Sequence, residues 1–174
     1  MTVLESVEAD GIRVTVTARD RAAHVEATVP DRLADELGYD VLEARLALLG
    51  TRLLTAYADA RRSAVTAGLR SDPRPLSARD RDAADRIAAS VVEARSPDGL
   101  VTVTLVGGRA VTVVLDDQSA DEALDSGADH GPDGALGRAV GRALSAALAE
   151  QRVASYRIRC QVFGRKAAPV SRGA

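Results

Sequence analysis

Apolar and polar residues alternate one by one along several short stretches in the first third of the chain. The clearest is Val14–Thr17, whose valines fall on one side of an extended backbone and whose threonines fall on the other. The Asp10-Gly11 pair suits a tight turn that needs a positive φ angle, and Pro30-Asp31 ends the last alternating run. Three strands are therefore predicted, near 3–9, 12–18 and 22–29.

The spacing of the apolar residues then changes from every second position to every third or fourth. This period predicts a helix from about 40 to 67 with one apolar face and with Asp40 as a possible N-cap. The residues of the apolar stripe are Leu42, Leu46, Leu49, Leu53 and Tyr57.

The same order of features occurs a second time along the chain. The Asp10-Gly11 turn and the Val14–Thr17 run have counterparts in Asp98-Gly99 and in Val101–Thr104, and Gly107-Gly108 suits the following hairpin turn. Strands are predicted near 91–96, 99–106 and 109–116. The sequence therefore indicates two tandem copies of one unit.

A second long helix is predicted from about 133 to 152 by its apolar period. Its apolar face consists of Leu136, Val140, Leu144 and Leu148. Gly137 and Gly141 lie one turn apart in it, and each lowers helix propensity by roughly 1 kcal/mol relative to alanine. A close approach to another helix or to a sheet would offset this loss; the alternative is that an alanine-rich helix tolerates both glycines.

The remaining segments connect the copies or follow them. Residues 68–76 contain a glycine and two prolines and are predicted to form a linker. Ser77 suits the N-cap of a shorter helix that runs from about 77 to 90, with Asp80 in its first turn. In the tail, 154–163 alternates with period two, which favours an added strand over continuation of the helix.

These elements indicate an α+β protein of two tandem units, each a three-stranded antiparallel sheet with a long helix. The first unit is predicted at 1–67 (β-β-β-α), the linker at 68–76, the second unit at 77–153 (α-β-β-β-α), and a basic tail at 154–174.

Composition narrows the classes of function. The chain has 174 residues, 46% of them hydrophobic, which suffices for a core without a disulfide or a metal. The only cysteine, Cys160, excludes an intrachain disulfide and a cysteine zinc cluster, and two histidines exclude a three-histidine metal site. No apolar run of about 18 residues is present and the acidic start is unlike a signal peptide, so we expect a cytoplasmic protein without a membrane partner.

Motifs for catalysis are absent from the sequence. It has no Gly-x-Ser-x-Gly elbow and no phosphate loop that ends in Gly-Lys-Ser or Gly-Lys-Thr. His24 falls in a predicted strand, and Cys160 is expected to be a buried, unreactive thiol. We therefore expect no enzyme activity, no catalytic residues, no cofactor, no metal site and no small-molecule substrate.

Arginines are the candidate binding residues. A formal net charge of -2 excludes a chain that is basic all over, but it allows a local basic surface. Arg138 and Arg142 share a face of the second long helix, Arg45 and Arg52 share a face of the first, and the duplication would place the two pairs on corresponding surfaces. Arginine pairs well with phosphate, although such pairs are also typical of solvated helix faces.

Charge is unevenly distributed towards the C-terminus. Residues 116–133 contain seven acidic residues and no base, whereas residues 151–174 contain six bases and no acid. The two segments could pair with each other, or the basic tail could contact an anionic partner. The sequence leaves both alternatives open.

Three tracts of the second copy, taken together, resemble one known family. Ser96–Thr104, Gly107-Gly108-Arg109 and Val111–Asp116 look like the turn, hairpin and strand of the YbaB/EbfC family of nucleoid-associated proteins. The resemblance implies a helix, a three-stranded antiparallel sheet and a long second helix, together with tweezer-shaped homodimers that bind DNA with little sequence preference. For this chain it implies two tandem YbaB-like units that form a pseudo-dimer, while pairing with the units of a second chain stays open. The small YbaB-like proteins associated with type VII secretion systems are similar too.

The resemblance and the arginines together lead to one hypothesis and one alternative. The first is a nucleoid protein that binds duplex DNA through arginine–phosphate contacts, with low sequence specificity. The alternative is a protein-binding chaperone or adaptor of the type VII secretion kind, or a structural homo-oligomer such as a homodimer. The expected DNA-binding residues are Arg138, Arg142, Arg152, Arg157 and Arg159, followed by Arg45, Arg52, Arg61 and Arg62.

Overall fold

The protein has an α+β fold built from two three-stranded antiparallel sheets and four helices in the part described by the structure. The structure is a computed structural model that describes residues 2–19, 22–30, 32–68, 77–116 and 134–164. None of the helices formed by these residues combines the length and the apolar character that a membrane span needs. The elements are β1 (Thr2–Ala9), β2 (Ile12–Arg19), β3 (Ala22–Thr28), α1 (Arg32–Leu37), α2 (Tyr39–Gly68), α3 (Ala78–Ala88), β4 (Val91–Arg95), β5 (Val101–Val106), β6 (Ala110–Leu115) and α4 (Ala135–Phe163).

Both sheets follow the chain order, which confirms the predicted strands. The first sheet has the order β1-β2-β3 and the second has the order β4-β5-β6. Val14 and Val16 of β2 are fully buried, so the valines of the alternating run face the core as predicted. The turn before this run has positive φ at both central residues, 53° at Asp10 and 79° at Gly11, as a two-residue hairpin turn requires.

The start of the first long helix differs from the prediction. A separate short helix, α1, precedes α2, and Gly38 lies between them with a left-handed φ of 75°. The Gly38 N–H donates to the Ala34 carbonyl at 2.9 Å, and the Leu42 N–H donates to the Gly38 carbonyl at 3.2 Å. Asp40 therefore lies inside the first turn of α2, and its prediction as the N-cap was wrong because the glycine turn already starts the helix.

The predicted strand at 154–163 was also wrong, because α4 continues as far as Phe163. No glycine, proline, asparagine or aspartate occurs between Gly141 and Gly164, so nothing in the sequence breaks the helix over that distance. Gly164 ends it with a left-handed φ of 67°. The period-two pattern in the tail was too short to outweigh this continuous helix-forming sequence.

The shorter helix α3 begins where its sequence predicts. The Asp80 N–H donates to Ser77 Oγ at 3.1 Å, while the Asp80 carboxylate accepts from the Ser77 hydroxyl at 2.6 Å and from the Ser77 N–H at 3.0 Å. This reciprocal pair is a capping box. The hydroxyl bond, followed by the backbone bond, lowers the pKa of the Asp80 carboxyl because both stabilise its charged form.

Each long helix packs against both sheets. Helix α2 lies on β1 and β2 of its own sheet and along β6 of the other, while α4 lies on β4 and β5 and along β3. The buried side chains of both sheets and both long helices consequently form one hydrophobic cluster. The two copies of the unit therefore share a single core in the described part of the chain.

Side chains of the long helices bond to the open backbone edge of the opposite sheet. The Val25 N–H of β3 donates to Ser145 Oγ of α4 at 2.8 Å. In the same manner, the Val111 N–H of β6 donates to Thr51 Oγ1 of α2 at 3.0 Å. The two bonds have corresponding places in the two copies, so Thr51 corresponds to Ser145. Further along β6, Leu115 donates its N–H to Glu43 Oε1 at 2.6 Å.

The two glycines of α4 allow this helix to reach the edge of β3. A Cβ atom on Gly137 would lie 2.6 Å from the Ala27 carbonyl oxygen, and one on Gly141 would lie 2.9 Å from the Val25 carbonyl oxygen. Both distances are too short for a side chain. Of the alternatives that the sequence left open, the close helix–sheet approach is therefore the one observed.

The Thr51 bond leads to a testable prediction. We expect Thr51→Val to lower the free energy of unfolding by about 1–2 kcal/mol, because it leaves the Val111 N–H without its acceptor. Urea denaturation measures the loss, and faster hydrogen exchange of the Val111 amide locates it. Thr55→Val, one turn along the same helix, is the matched control and should change stability by about 0.5 kcal/mol or less. Equal losses in the two variants would contradict the role of the bond.

Candidate nucleic-acid interface

One side of α4 carries an exposed row of residues without an acidic group. Successive members are three, four or seven positions apart, which places them on one face of a helix. From the first arginine to the last, the row spans roughly 32 Å at a rise of 1.5 Å per residue. This surface, named here the α4 arginine stripe, consists of Arg138, Arg142, Ala149, Arg152, Tyr156, Arg159 and Phe163.

Four of the five arginines expected to bind first lie on the α4 arginine stripe. The fifth, Arg157, is exposed but lies beside it on the helix. Tyr156 is exposed between Arg152 and Arg159, and Phe163 is exposed just beyond Arg159, which composition alone did not indicate. Cys160 is buried next to this surface, which confirms the prediction that its thiol is buried.

The arginines of α2 are placed differently. Arg45 forms an ion pair with Asp10 at 2.9 Å, and Arg62 forms one with Asp59 at 3.6 Å. The Arg61 guanidinium lies 5.8 Å from the centre of the Tyr57 ring. Arg52 is exposed. Carboxylates that already contact two of these arginines reduce the positive charge that α2 presents to an anion.

The arginine pairs of the two long helices do not correspond. Because Thr51 corresponds to Ser145, the α2 positions that match Arg138 and Arg142 are Ala44 and Leu48. The expectation that duplication places both pairs on equivalent surfaces was therefore wrong. The two copies keep the same fold but have different chemistry on this flank.

Arg138 and Arg142 also border a groove that the sequence did not predict. The groove has a volume of about 690 Å³ and lies between the flank of α4 and the face of the first sheet turned away from the core. Arg13, which is paired with Glu8 at 2.6 Å, belongs to this face. The residues that line the groove are Val3, Arg13, Thr15, Thr17, His24, Val25, Glu26, Ala27, Thr28, Gly137, Arg138, Gly141, Arg142 and Ser145.

Thr17 is the unusual residue of this groove. It is 1% exposed, and its Oγ1 atom has no hydrogen-bond partner within the described structure. Its neighbours across the sheet are Val3 and His24, which lie on the same face. A buried hydroxyl normally bonds to something, so the lack of a partner sets Thr17 apart from the other described residues of the groove.

The described residues contain no group of three or more side chains suited to hold a metal ion. His24 is exposed on a strand, at the groove. Most of the acidic segment, 117–133, and the end of the tail, 165–174, lie outside the described residues, so pairing between them stays a prediction.

Comparison with models of known protein families finds no match for this chain, and comparisons with curated proteins and with solved structures find none either.

Proposed function

We propose that this chain is a non-enzymatic, YbaB/EbfC-like protein that binds duplex DNA with little sequence preference. In this proposal its two units form a pseudo-dimer within one chain, and arginines of the α4 arginine stripe contact DNA phosphates. The observation that carries the proposal is the stripe itself, with four exposed arginines and no acid on one face of α4. The turn, hairpin and strand tracts of the second copy supply the family resemblance.

The dimensions of the stripe suit a duplex. Its arginines span roughly 32 Å, close to the 34 Å or so of one turn of B-DNA. Arginine is suited to phosphate because its planar guanidinium donates two parallel hydrogen bonds. Contacts of this kind do not read the base sequence, so affinity should fall steeply with salt and vary little between duplexes.

Within this proposal we rank the arginines by the surface that they share. Arg138, Arg142, Arg152 and Arg159 share one exposed surface, so they are placed first, with Arg157 beside them. Arg45 and Arg62 are placed last because carboxylates already contact them. Arg52 and Arg61 are exposed on the other long helix and supply the matched control.

Charge reversal on the stripe tests the proposal. We expect the double variant Arg152→Glu, Arg159→Glu to weaken binding of an unrelated-sequence duplex by about tenfold or more and to lower the salt slope by about two, because two phosphate contacts are lost. A salt titration followed by fluorescence anisotropy measures both quantities.

The control carries the same change of net charge on α2. The double variant Arg52→Glu, Arg61→Glu should keep most of the affinity and nearly the full salt slope. Equal loss in both double variants would mean that overall charge, and not the stripe, governs binding. Failure of the unaltered protein to bind at about 50 mM salt would overturn the DNA proposal itself.

A specific observation favours the protein-binding alternative as a second candidate. The face of the second sheet turned away from the core exposes Val91, Val106 and Val114, with fractions of 62%, 42% and 52%. Leu48, on the flank of α2, is 52% exposed. Exposed apolar surface of this kind is typical of contact with another protein. If the duplex does not bind, this face is where a protein partner or a second copy would be sought.

A further inference from the structure

We propose that the groove between α4 and the first sheet binds a small molecule that carries a phosphate group and hydroxyl groups, such as a sugar phosphate or a nucleotide. The volume, about 690 Å³, lies within the range of small-molecule sites, roughly 300–1,000 Å³. The groove differs from the proposed DNA-binding surface in its ligand and in most of its residues. It goes beyond the proposed function, with which it shares Arg138 and Arg142.

The helix side of the groove supplies the site for the phosphate. Arg138 and Arg142 are one turn apart on the same flank of α4 and both line the groove. Two guanidinium groups on one flank can bind different oxygens of a single phosphate through charge-assisted hydrogen bonds. The close approach that Gly137 and Gly141 permit keeps this flank at the edge of β3.

The sheet side supplies partners for hydroxyl groups. Glu26 offers a carboxylate acceptor, Thr15 offers a hydroxyl, and Thr17 adds the buried Oγ1 atom that lacks a partner. A carboxylate next to arginines would oppose an anion that was charged throughout. It suits a ligand with a phosphate at one end and hydroxyl donors at the other. Movement of the exposed His24 side chain, the cross-strand neighbour of Thr17, would open Oγ1 to such a ligand.

The fold alone does not require these residues. On α2, the long helix of the first copy, Ala44 and Leu48 stand at the positions that match Arg138 and Arg142 of α4. By the pairing of the strands, Val106 and Ala110 stand at the sheet positions of Thr17 and His24. The positions that match Thr15 and Glu26 are Thr104 and Thr112, so the equivalent surface keeps hydroxyls there but lacks both arginines, the carboxylate and the Thr17 hydroxyl. The charged residues of the groove are therefore a local feature and not a requirement of the fold.

Titration of the full chain with ribose 5-phosphate, followed by amide NMR spectra, tests this inference without any DNA. We expect saturable binding with a Kd in the low millimolar range or tighter, with shifts centred on Thr17, His24, Glu26 and Arg142. Inorganic phosphate should bind at the same arginines several-fold more weakly, because it lacks the hydroxyl groups. No saturation by about 20 mM, or shifts spread over all exposed arginines, would overturn the proposal.

Three variants distinguish binding at this groove from a general effect of charge and from a loss of stability. Arg142→Gln should weaken binding of ribose 5-phosphate about tenfold, as expected for a lost charge-assisted contact, whereas Arg52→Gln should leave its Kd unchanged.

Thr17→Val should weaken binding of ribose 5-phosphate but not of inorganic phosphate. It should not lower the melting temperature, because it removes a buried hydroxyl that has no partner among the described residues. A Thr17→Val protein that melts earlier and keeps its affinity would show a purely structural threonine and overturn this part of the site. If the unaltered protein bound inorganic phosphate and ribose 5-phosphate equally well, the role of the sheet side in binding hydroxyl groups would also be overturned.

Discussion

Gly137→Ala is expected to destabilise the protein by about 2–4 kcal/mol, even though alanine is the better helix former by roughly 1 kcal/mol. The added Cβ would lie 2.6 Å from the Ala27 carbonyl oxygen and 3.0 Å from the Val29 nitrogen. Both are backbone atoms, one in β3 and one in the residue that follows it, so they cannot rotate away as a side chain could. Helix α4 would have to withdraw from β3. At about 2–4 °C per kcal/mol for a chain of this size, the melting temperature should fall by about 4–16 °C.

Gly50→Ala is the matched control for this substitution. Gly50 also lies in a long helix that borders the opposite sheet, but its added Cβ would meet the side chain of Val111, at 3.2 Å. A side chain can adjust by a few tenths of an ångström, and the gain in helix propensity offsets part of the crowding. We expect a change within about 1 kcal/mol of zero. If Gly137→Ala left the protein equally stable, the close helix–sheet approach would be incorrect.

Leu53→Ala is expected to lower the free energy of unfolding by about 3 kcal/mol, within the range of 2–5 for a buried leucine. Leu53 is 0% exposed and belongs to the cluster that joins both sheets and both long helices. Because the core is shared, the variant should weaken the second sheet as much as the first. Circular dichroism during urea denaturation should show one transition at a lower midpoint, with hydrogen-exchange protection lowered in β2 and β5 alike.

Leu48→Ala, on the same helix, provides the comparison. Leu48 is more than half exposed, so its truncation should change stability by about 0.5 kcal/mol or less. Two separate unfolding transitions in the Leu53→Ala protein, with the second sheet unaffected, would show that the two copies fold independently. That result would contradict a shared core.

Periodicity was sufficient to predict the six strands and the presence of the two long helices, because each element has its own apolar repeat. Val14 and Val16 are buried and Asp10-Gly11 forms the turn, as local chemistry requires. The errors occurred where the local signal was short. At 154–163, a few alternating residues favoured a strand in the prediction. The stronger signal was that no residue there breaks the helix, so α4 continues. Asp40 was mistaken for a cap because the left-handed Gly38 was not anticipated.

The candidate surfaces depended on contacts that no local pattern contains. Arginine content indicated α4, but only the full length of the helix places Arg152 and Arg159 on the same face as Arg138. The groove requires α4 to lie beside β3, although the two are far apart in sequence. Gly137 and Gly141 were the one available signal of that approach, and Thr17 carried none, because its alternation with valine only indicates which side of the strand it occupies.

The bond between Ser145 and Val25 has a consequence for the way this protein is made. A ribosome adding on the order of 5–20 residues per second completes β3 roughly 5–20 s before it reaches α4, about 100 residues later. During that interval the outer backbone groups of β3 lack the helix that covers them in the finished fold. An uncovered strand of this kind is a template for pairing with another nascent chain. Aggregation during synthesis should therefore begin at β3, and should depend on how soon α4 emerges.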